Sequence, residues 1–422
     1  MSKKPNTIAI IGAGIIGVNC AAQLQAKGYQ VTVLDKNGIG EGCSKGNAGH
    51  FATEQVFPLA EVGLIWQLPK FLLNPLGPIA ISPHYFPTVF PWFIKFIRNM
   101  FNDKRSKNME ALKSLNKMAI PAYNLLLKAA NVQHLLITKG SLLVFESNKI
   151  KTVEKYYHQY RAAGIAVKLL DRQQTLLLEP SLHSNINFSL YFTEVGHTLN
   201  PFLFCQSIAN YASSLGTTFK KYTVQKITNQ GGQIQLHSDN KSISFDKVII
   251  ATGAWSKNLA NQLGYQLPLE YERGYHLDLT TPKINQQLSR PVASMERKFI
   301  ISPTTTGIRL AGTVEFAGLE SPANIKRAKS LYKNAEFILN KLPNMDMKED
   351  DPSSYWMGFR PSLPDSLPVI GEAPNHKNIY FAVGHQHLGL TLGAITGQLI
   401  MQLIQKTPTS IDISPFSIGR FN

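Results

Sequence analysis

The hexapeptide Gly12-Ala13-Gly14-Ile15-Ile16-Gly17 carries the most specific chemistry at the amino end of the chain. It follows an apolar, β-branched run, Thr7 to Ile11, and opens a small-residue stretch through Ala22 that stops at Gly28. A second apolar run, Val31 to Leu34, then ends on Asp35. Together these form a complete strand-helix-strand dinucleotide fingerprint. Gly12 makes the tight turn, Gly14 lets the backbone approach a pyrophosphate, and Gly17 lets the helix pack closely on the strand. Bare amides at the helix start, with the positive end of its dipole, hold the phosphates. Asp35 stands 23 residues after Gly12, where a carboxylate accepts hydrogen bonds from a ribose 2′-hydroxyl and repels a 2′-phosphate. The spacing therefore favours FAD or NAD over NADP. Lys3-Lys4 ahead of apolar residues and Ala21-Ala22 also fits a secretory leader, but a leader requires neither this glycine spacing nor Asp35.

Other elements must complete such a site. Gly40 to His50 holds four glycines, Gly40, Gly42, Gly46 and Gly49, and reads as a loop that needs unusual backbone angles or approaches a ligand closely. Val56 to Phe101 is rich in Pro, Phe, Leu and Trp and contains seven prolines, which excludes one long helix. Short amphipathic pieces such as Pro91 to Phe101 either lie on a bilayer or cover an internal pocket. Lys107 to Ala130 has helical periodicity, Gly140 to Phe145 reads as a strand, Ile150 to Ala163 as a helix, and Val167 to Leu170 as a strand before a helical run to Glu179-Pro180. Asn200 is an N-cap and Pro201 a first helical residue for a helix to Leu215. Strands are expected at Tyr222 to Thr228, Gln233 to His237, Ser242 to Phe245 and Lys247 to Ala251. The last of them runs into Thr252-Gly253-Ala254-Trp255, which returns the chain to the nucleotide sheet.

At 422 residues and 44% apolar content, the chain has ample core for two or three domains. No apolar run reaches the eighteen or so residues a spanning helix needs. Cys20, Cys43 and Cys205 are scattered without a CxxC pair, which indicates ordinary thiols in a reducing, cytoplasmic compartment and no zinc site. The net charge of +16 is spread along the chain. With no nucleic-acid module or long basic tract, it points away from nucleic acid and toward an anionic membrane surface or simple solubility.

The GAGIIG turn, the Ser44/Asn47-Ala48-Gly49 loop, the VIIATGAWS strand end and the run Trp356-Met-Gly358-Phe-Arg360-Pro361-Ser-Leu-Pro-Asp365 with Pro368-Val-Ile-Gly371 resemble the D-amino-acid oxidase/dehydrogenase family of flavoproteins. Among its members the chain is most similar to bacterial D-amino-acid dehydrogenases, over essentially its whole length. The resemblance implies an α/β fold: a Rossmann-like, glutathione-reductase-type FAD domain (1–56, 196–270 and 352–422) interleaved with a mixed-sheet α+β substrate domain (57–195 and 271–351). It implies non-covalent FAD, since no cysteine stands near the C-terminal flavin motifs.

Carried over by position, Gly12 to Gly17 hold the pyrophosphate, Asp35 and Lys36 the adenosine end, and Val224 the adenine through its backbone. Ser44 and the Asn47, Ala48, Gly49, His50 segment run beside the flavin, with Thr252, Gly253 and Trp255 completing the nucleotide side. Gly384, His387, Leu388, Gly389, Leu390 and Thr391 set a helix N-terminus near the flavin pyrimidine oxygen, which suits an anionic reduced flavin. Arg360 is the expected carboxylate anchor, beside the flavin, with pairing to Asp365 or Glu372 as its structural alternative. Tyr275, His50 and His387 are expected to line the substrate pocket, Tyr275 either holding the carboxylate or simply packing. His385-x-His387 lacks a third metal ligand.

The implied reaction is hydride transfer from Cα to flavin N5, giving an imino acid that hydrolyses to a 2-oxo acid and ammonia. The expected partners are a small amino acid and a quinone or other electron acceptor, with peripheral contact at the cytoplasmic face of an inner membrane. Sarcosine, glycine or D-proline-type amines, oxygen as acceptor, and a flavin-binding role without turnover remain alternatives. Relatives often carry Gln where His50 stands, which leaves the substrate range open.

Overall fold

A computed structural model describes residues 6–61, 74, 76–230, 232–239, 241–280, 288–342 and 354–421. Six strands from three separate stretches of chain form one sheet, in the order Val369–Ala373, His376–Val383, Lys247–Ile250, Thr7–Ile11, Gln30–Asp35, Thr218–Lys221. All neighbours are parallel except the first pair. Thr7–Ile11 is buried on both faces, as a central parallel strand must be. Ile8 and Ile10 pack under the helices Ile15–Gln25, Asn102–Ala129, Pro201–Ser214 and Gly389–Gln405. Ala9 and Ile11 face a three-stranded antiparallel meander, Lys226–Gln230, Gln233–Ser238 and Lys241–Phe245. Helices on one face and a meander on the other make this the glutathione-reductase type of Rossmann-like sheet.

Among the described residues the second sheet has nine strands. Tyr355–Ser362, Glu270–Thr280, Gly307–Phe316, Phe299–Pro303 and Val292–Ser294 are joined antiparallel. Ser141–Phe145 adds parallel to Val292–Ser294, followed by Phe188–Phe192 and Val167–Asp171, and Ile79–Ile81 pairs parallel with Gly307–Phe316. The sheet is therefore mixed, with its own core around Leu277, Ile301, Leu310 and Leu331.

Several local expectations change. Of the strand expected at Tyr222 to Thr228 only Lys226 onward is strand, in the meander strand Lys226–Gln230; residues 222–225 link it to Thr218–Lys221 of the six-stranded sheet, with the Tyr222 amide donating to the Asp35 carbonyl at the junction. The amphipathic helix near Pro91 spans Phe86–Arg98 instead, because Pro87 lies in its first turn and needs no donor there. The long helix begins at Asn102, ahead of the Lys107 expected. Asp171 closes Val167–Asp171 and caps Arg172–Leu178 in a capping box with Gln174. Residues 62–73 and 75 of the Pro-rich segment lie outside the described residues.

The first and last helices touch through glycine. A Cβ at Gly397 would sit 2.8 Å from the Asn19 backbone, and one at Gly393 would meet Tyr123 and Asn19. Gln23 Nε2 donates to the Ala394 carbonyl at 2.7 Å, tying the two helices across the contact, and Tyr123 Oη of the helix Asn102–Ala129 donates to the Leu390 carbonyl at 2.7 Å. Because the obstacle at Gly397 is backbone, Gly397→Ala is expected to destabilise the fold by about 1–3 kcal/mol through overpacking. A thermal melt in which the variant matches the parent would refute this account of the contact.

Candidate active site

The turn into the first helix meets the demands of the fingerprint in different ways. Gly12 has φ +109°, and a Cβ there would overlap the Ala251 carbonyl; a Cβ at Gly17 would overlap the Gly12 carbonyl. Gly14 is the informative one. Its φ of −71° suits any residue, and its Cβ position meets only the Ser44 hydroxyl, 3.4 Å away. The protein itself leaves that space open, as a cradle for a phosphate requires. Ser44 Oγ accepts the Ile15 amide and Asp35 Oδ2 the Ala13 amide, each at 2.8 Å. Among the described residues the amides of Gly14, Ile16 and Gly17 have no acceptor.

Asp35 Oδ1 also accepts the Asn37 and Gly38 amides at 2.8 and 2.9 Å, so the carboxylate is held rigidly at the end of its strand. Lys36 Nζ lies 3.9 Å from the centroid of the Trp255 ring. Trp255 is 38% exposed, beside Gly253 at φ +54°. Val224 is half-buried in the link between Thr218–Lys221 and Lys226–Gln230. These residues line one edge of the parallel sheet and fit the adenosine half of FAD.

The Gly40–His50 loop fastens this edge to the second sheet. Gly40 donates to the Ala13 carbonyl, Gly49 donates to Asn47 Oδ1 at 2.8 Å, and Thr198 donates to the Gly49 carbonyl. A Cβ at Gly46 would overlap the Trp356 ring, which stacks on His276 with centroids 5.2 Å apart. Arg309 makes a bidentate pair with Asp278, both contacts 2.7 Å, and donates to the Asn47 carbonyl at 2.7 Å. Cys43 Sγ donates to the Phe359 carbonyl at 2.7 Å, and burial pushes its thiol up to about 11. Nothing in the spacing of Arg309, His276 or Cys43 marked them, and Trp356 stood only as the first residue of the run that carried the resemblance; cross-strand register and loop docking bring them together.

Arg360 stands opposite Glu272 in the ladder between Tyr355–Ser362 and Glu270–Thr280, and its guanidinium lies over Gly274, where a Cβ would meet it at 2.5 Å. Its two alternative partners are taken: Asp365 binds Arg420 at 2.7 Å and Glu372 accepts the Asn378 amide. Among the described residues the Arg360 guanidinium has no hydrogen-bond or ion-pair partner. Burial raises the pKa of Glu272, while Arg360 and Ser362 lower it.

Tyr275 does not join this group. Strand alternation places it on the opposite face with Arg273. There its hydroxyl donates to Glu315 and accepts the Asn324 amide at 3.1 Å. The expected Tyr275 contact with a carboxylate anchored by Arg360 is therefore corrected to a separate cluster.

His387 is half-buried near Arg360 and His50, and burial, with the Arg360 charge adding to it, lowers its pKa to about 4. His50 pairs with His197 in a short antiparallel ladder, and its Nε2 lies 3.5 Å from Glu54 Oε1. Burial lowers His50, His197 and His276 to about 4 and His385 to about 3. His385 Nε2 meets Thr396 Oγ1 at 2.9 Å, a packing role. Among the described residues no three His, Cys, Asp or Glu side chains group to hold a metal ion. The helix Gly389–Gln405 begins beside the first helix, with Gly389 facing Ile15, and Thr391 Oγ1 accepts the Ala52 amide at 2.9 Å. Two helix N-termini thus open on the same region, which favours an anionic pyrophosphate and an electron-rich ring.

A parallel, Rossmann-like sheet whose edge is roofed by a mixed sheet carrying an unpartnered arginine suits a flavin-dependent oxidoreductase. The family model described as "FAD dependent oxidoreductase" matches residues 7–403, and the chain belongs to that family. It is 34% identical to a D-amino-acid oxidase of Bradyrhizobium diazoefficiens over 98% of both chains. It is 27% identical to a D-amino acid dehydrogenase of Rhizobium rhizogenes over 98% of this chain and 99% of that one. Among solved structures, glycine oxidase from Geobacillus kaustophilus shares the fold with a TM-score of 0.73, 22% identity and 98% coverage of both chains.

The five neutral histidines set a pH dependence. In the unfolded chain each titrates near 6.5. The folded protein keeps them neutral down to about 4, or about 3 for His385. Stability is therefore fully present above the unfolded pKa and is lost as pH falls from about 6.5 toward 4, by up to about 1.4 kcal/mol per pH unit for each group. Glu54, raised to about 7 by burial, opposes this with a single proton. The melting temperature is expected to fall steadily between pH 6.5 and 4.5, and a flat profile would contradict the buried neutral state.

Proposed function

We propose that this FAD-dependent oxidoreductase oxidises D-amino acids to 2-oxo acids and ammonia, and that it passes the electrons to a quinone. The segments 1–56, 196–270 and 352–422 hold FAD non-covalently, and 57–195 and 271–351 enclose the substrate. The observation that carries the reading is Arg360, a half-buried guanidinium without a partner, held above Gly274 on the roof of the site. Its planar fork matches a carboxylate, and hydrogen bonds to charged groups contribute roughly 1.5–3 kcal/mol each. The names of the relatives supply the D-amino acid.

FAD, when bound, supplies the acceptor for the two electrons and the hydrogen leaving Cα. The chain supplies position. Gly14 and the free amides beside it receive the pyrophosphate, Asp35 and Lys36 the adenosine end. Arg360 orients the carboxylate, so that Cα is presented in one geometry. Neutral His50, His276 and His387 place no second cation beside the anchor, so an amino group is not repelled.

Arg360→Leu is expected to keep its flavin and to lose roughly 100-fold or more in kcat/KM for the best D-amino acid, in line with two charged hydrogen bonds. Anaerobic bleaching of the flavin spectrum checks this, and an unchanged kcat/KM would remove Arg360 from substrate binding. Oxygen as acceptor is the second reading, favoured by the relative named an oxidase; reoxidation of the reduced enzyme by air against a soluble quinone decides between them.

The quinone reading is supported by the helix Phe86–Arg98. Trp92 and Phe96 pack inward, while Phe86, Phe90, Ile94 and Ile97 form an exposed stripe flanked by Lys95 and Arg98. Among the described residues no helix is long and apolar enough to cross a membrane. A surface helix with apolar residues outward and basic residues at its rim suits an anionic bilayer, each Lys or Arg adding about 1 kcal/mol. The protein is expected to sediment with anionic vesicles at low salt and Phe90→Glu to weaken this. A parent protein that stays in the supernatant ends the membrane proposal.

A further inference from the structure

Two glycines stand opposite each other in the ladder that carries Arg360: Gly274 in Glu270–Thr280 and Gly358 in Tyr355–Ser362. Neither has a left-handed φ, so the backbone itself does not call for glycine at either position. The bulge beside Gly274 is carried by the neighbouring strand Gly307–Phe316, where Thr313 has φ +55°. Glycine inside a strand costs stability, and here its use follows from what lies over it. A Cβ at Gly274 would sit 2.5 Å from both Cζ and Nη2 of Arg360 and 2.7 Å from Nε, and one at Gly358 would overlap the end of the Trp356 ring. The indole is fixed in turn by stacking on His276 and by Gly46 of the loop, where a Cβ would overlap the ring. The paired glycines thus leave a depression on the sheet face that admits a guanidinium and the edge of an indole.

Arg360 differs in this from the other arginines tied into the fold. Arg290, Arg297, Arg309 and Arg420 are oriented by the carboxylates of Glu179, Glu146, Asp278 and Asp365 at 2.7 or 2.8 Å, and Arg273 by backbone carbonyls. Those contacts fix each fork by occupying its donors. Arg360 has no such partner among the described residues. We propose that Gly274 is a positioning residue: with Gly358 and Trp356 beside it, it seats the Arg360 guanidinium by shape, so that the N–H groups stay free for the substrate carboxylate. The inference rests on Arg360 binding that carboxylate.

An acidic partner would hold the fork as firmly, but it would compete with the substrate for the same donors. Packing against bare backbone orients the guanidinium without a competitor, and a preorganised group loses less freedom on binding. A methyl at position 274 meets the far end of a flexible side chain, which can swing aside while the fold stays intact. Gly312 offers the contrast within the same sheet. A Cβ there would lie 2.7 Å from the Phe299 Cβ and 3.2 Å from its Cα, so the adjoining strand itself would have to move.

The test uses the FAD-loaded enzyme and titrates its flavin absorbance with propionate and with the neutral isostere propionamide. The parent enzyme is expected to prefer propionate. Gly274→Ala is expected to keep its flavin and melting temperature and to bind propionate roughly 10-fold or more weakly, as loss of one charged hydrogen bond implies, with propionamide unchanged. Gly312→Ala is expected to do the reverse, melting lower with propionate affinity intact. Once Arg360→Leu has removed the guanidinium, adding Gly274→Ala is expected to change neither ligand further, and a further loss overturns the proposal. If Gly274→Ala does not fold, combining it with Arg360→Leu is expected to restore flavin-loaded protein, because the obstacle is gone; a double variant that also fails to fold overturns the assignment. Parent-like propionate affinity in Gly274→Ala, or equal losses for both ligands, overturns the role of Gly274 alone. If the parent enzyme itself shows no preference for propionate, the reading of Arg360 fails and takes this one with it.

Discussion

The glycine-mediated contact between Ile15–Gln25 and Gly389–Gln405 is the constraint on which the remaining structure depends. Backbones approach so closely only where Cβ atoms are missing, and Gly393 and Gly397 provide this against Asn19 and Tyr123. The consequence is electrostatic. Two helix N-termini, from opposite ends of the chain, open on one region, and their positive ends add there in favour of negative charge. Either helix alone offers half of this field. Asp35 and Ser44 then satisfy the Ala13 and Ile15 amides, leaving the neighbouring amides of the turn to a phosphate.

The Gly40–His50 loop converts this nucleotide edge into a two-sided cleft. It contacts the parallel sheet through Gly40 and the mixed sheet through Gly46, Asn47 and Cys43. Arg309, locked to Asp278, holds the loop from the sheet side. Alternation along Glu270–Thr280 then sorts the charges. Glu272, Gly274 and His276 share a face with Arg360 and Trp356, while Arg273 and Tyr275 share the other with Glu315. One face stays available for an anionic ligand and the other is neutralised within the protein. Arg273 illustrates the second outcome: fully buried, it donates to the carbonyls of Gly318, Pro322 and Ser321 and lies near Glu315.

Burial around the site also selects protonation states. Burial holds His50, His276 and His387 neutral near the Arg360 guanidinium, so the three imidazoles add no positive charge beside it. Glu54 is shifted the opposite way by the same loss of hydration. One low-polarity environment thus yields neutral imidazoles and a carboxyl whose pKa is raised.

What the sequence alone determined was local and periodic. Gly12, Gly14 and Gly17 with Asp35 announced the nucleotide turn because the turn, the phosphate approach and the helix packing each forbid a side chain at a fixed offset. Asn200-Pro201 announced a helix start for the same kind of reason. The Trp356 to Asp365 run pointed to Arg360 through its resemblance to a family, not through periodicity. Tertiary structure decided which face a strand residue occupies, since a period of two gives two faces and does not name them. That is why Tyr275 left the site and His276 entered it. It also divided residues 218–230 between two sheets, because the same β-branched and aromatic residues suit either edge. Glu54 was invisible in sequence, one acid in a loop, until folding removed its water and brought its Oε1 3.5 Å from His50 Nε2.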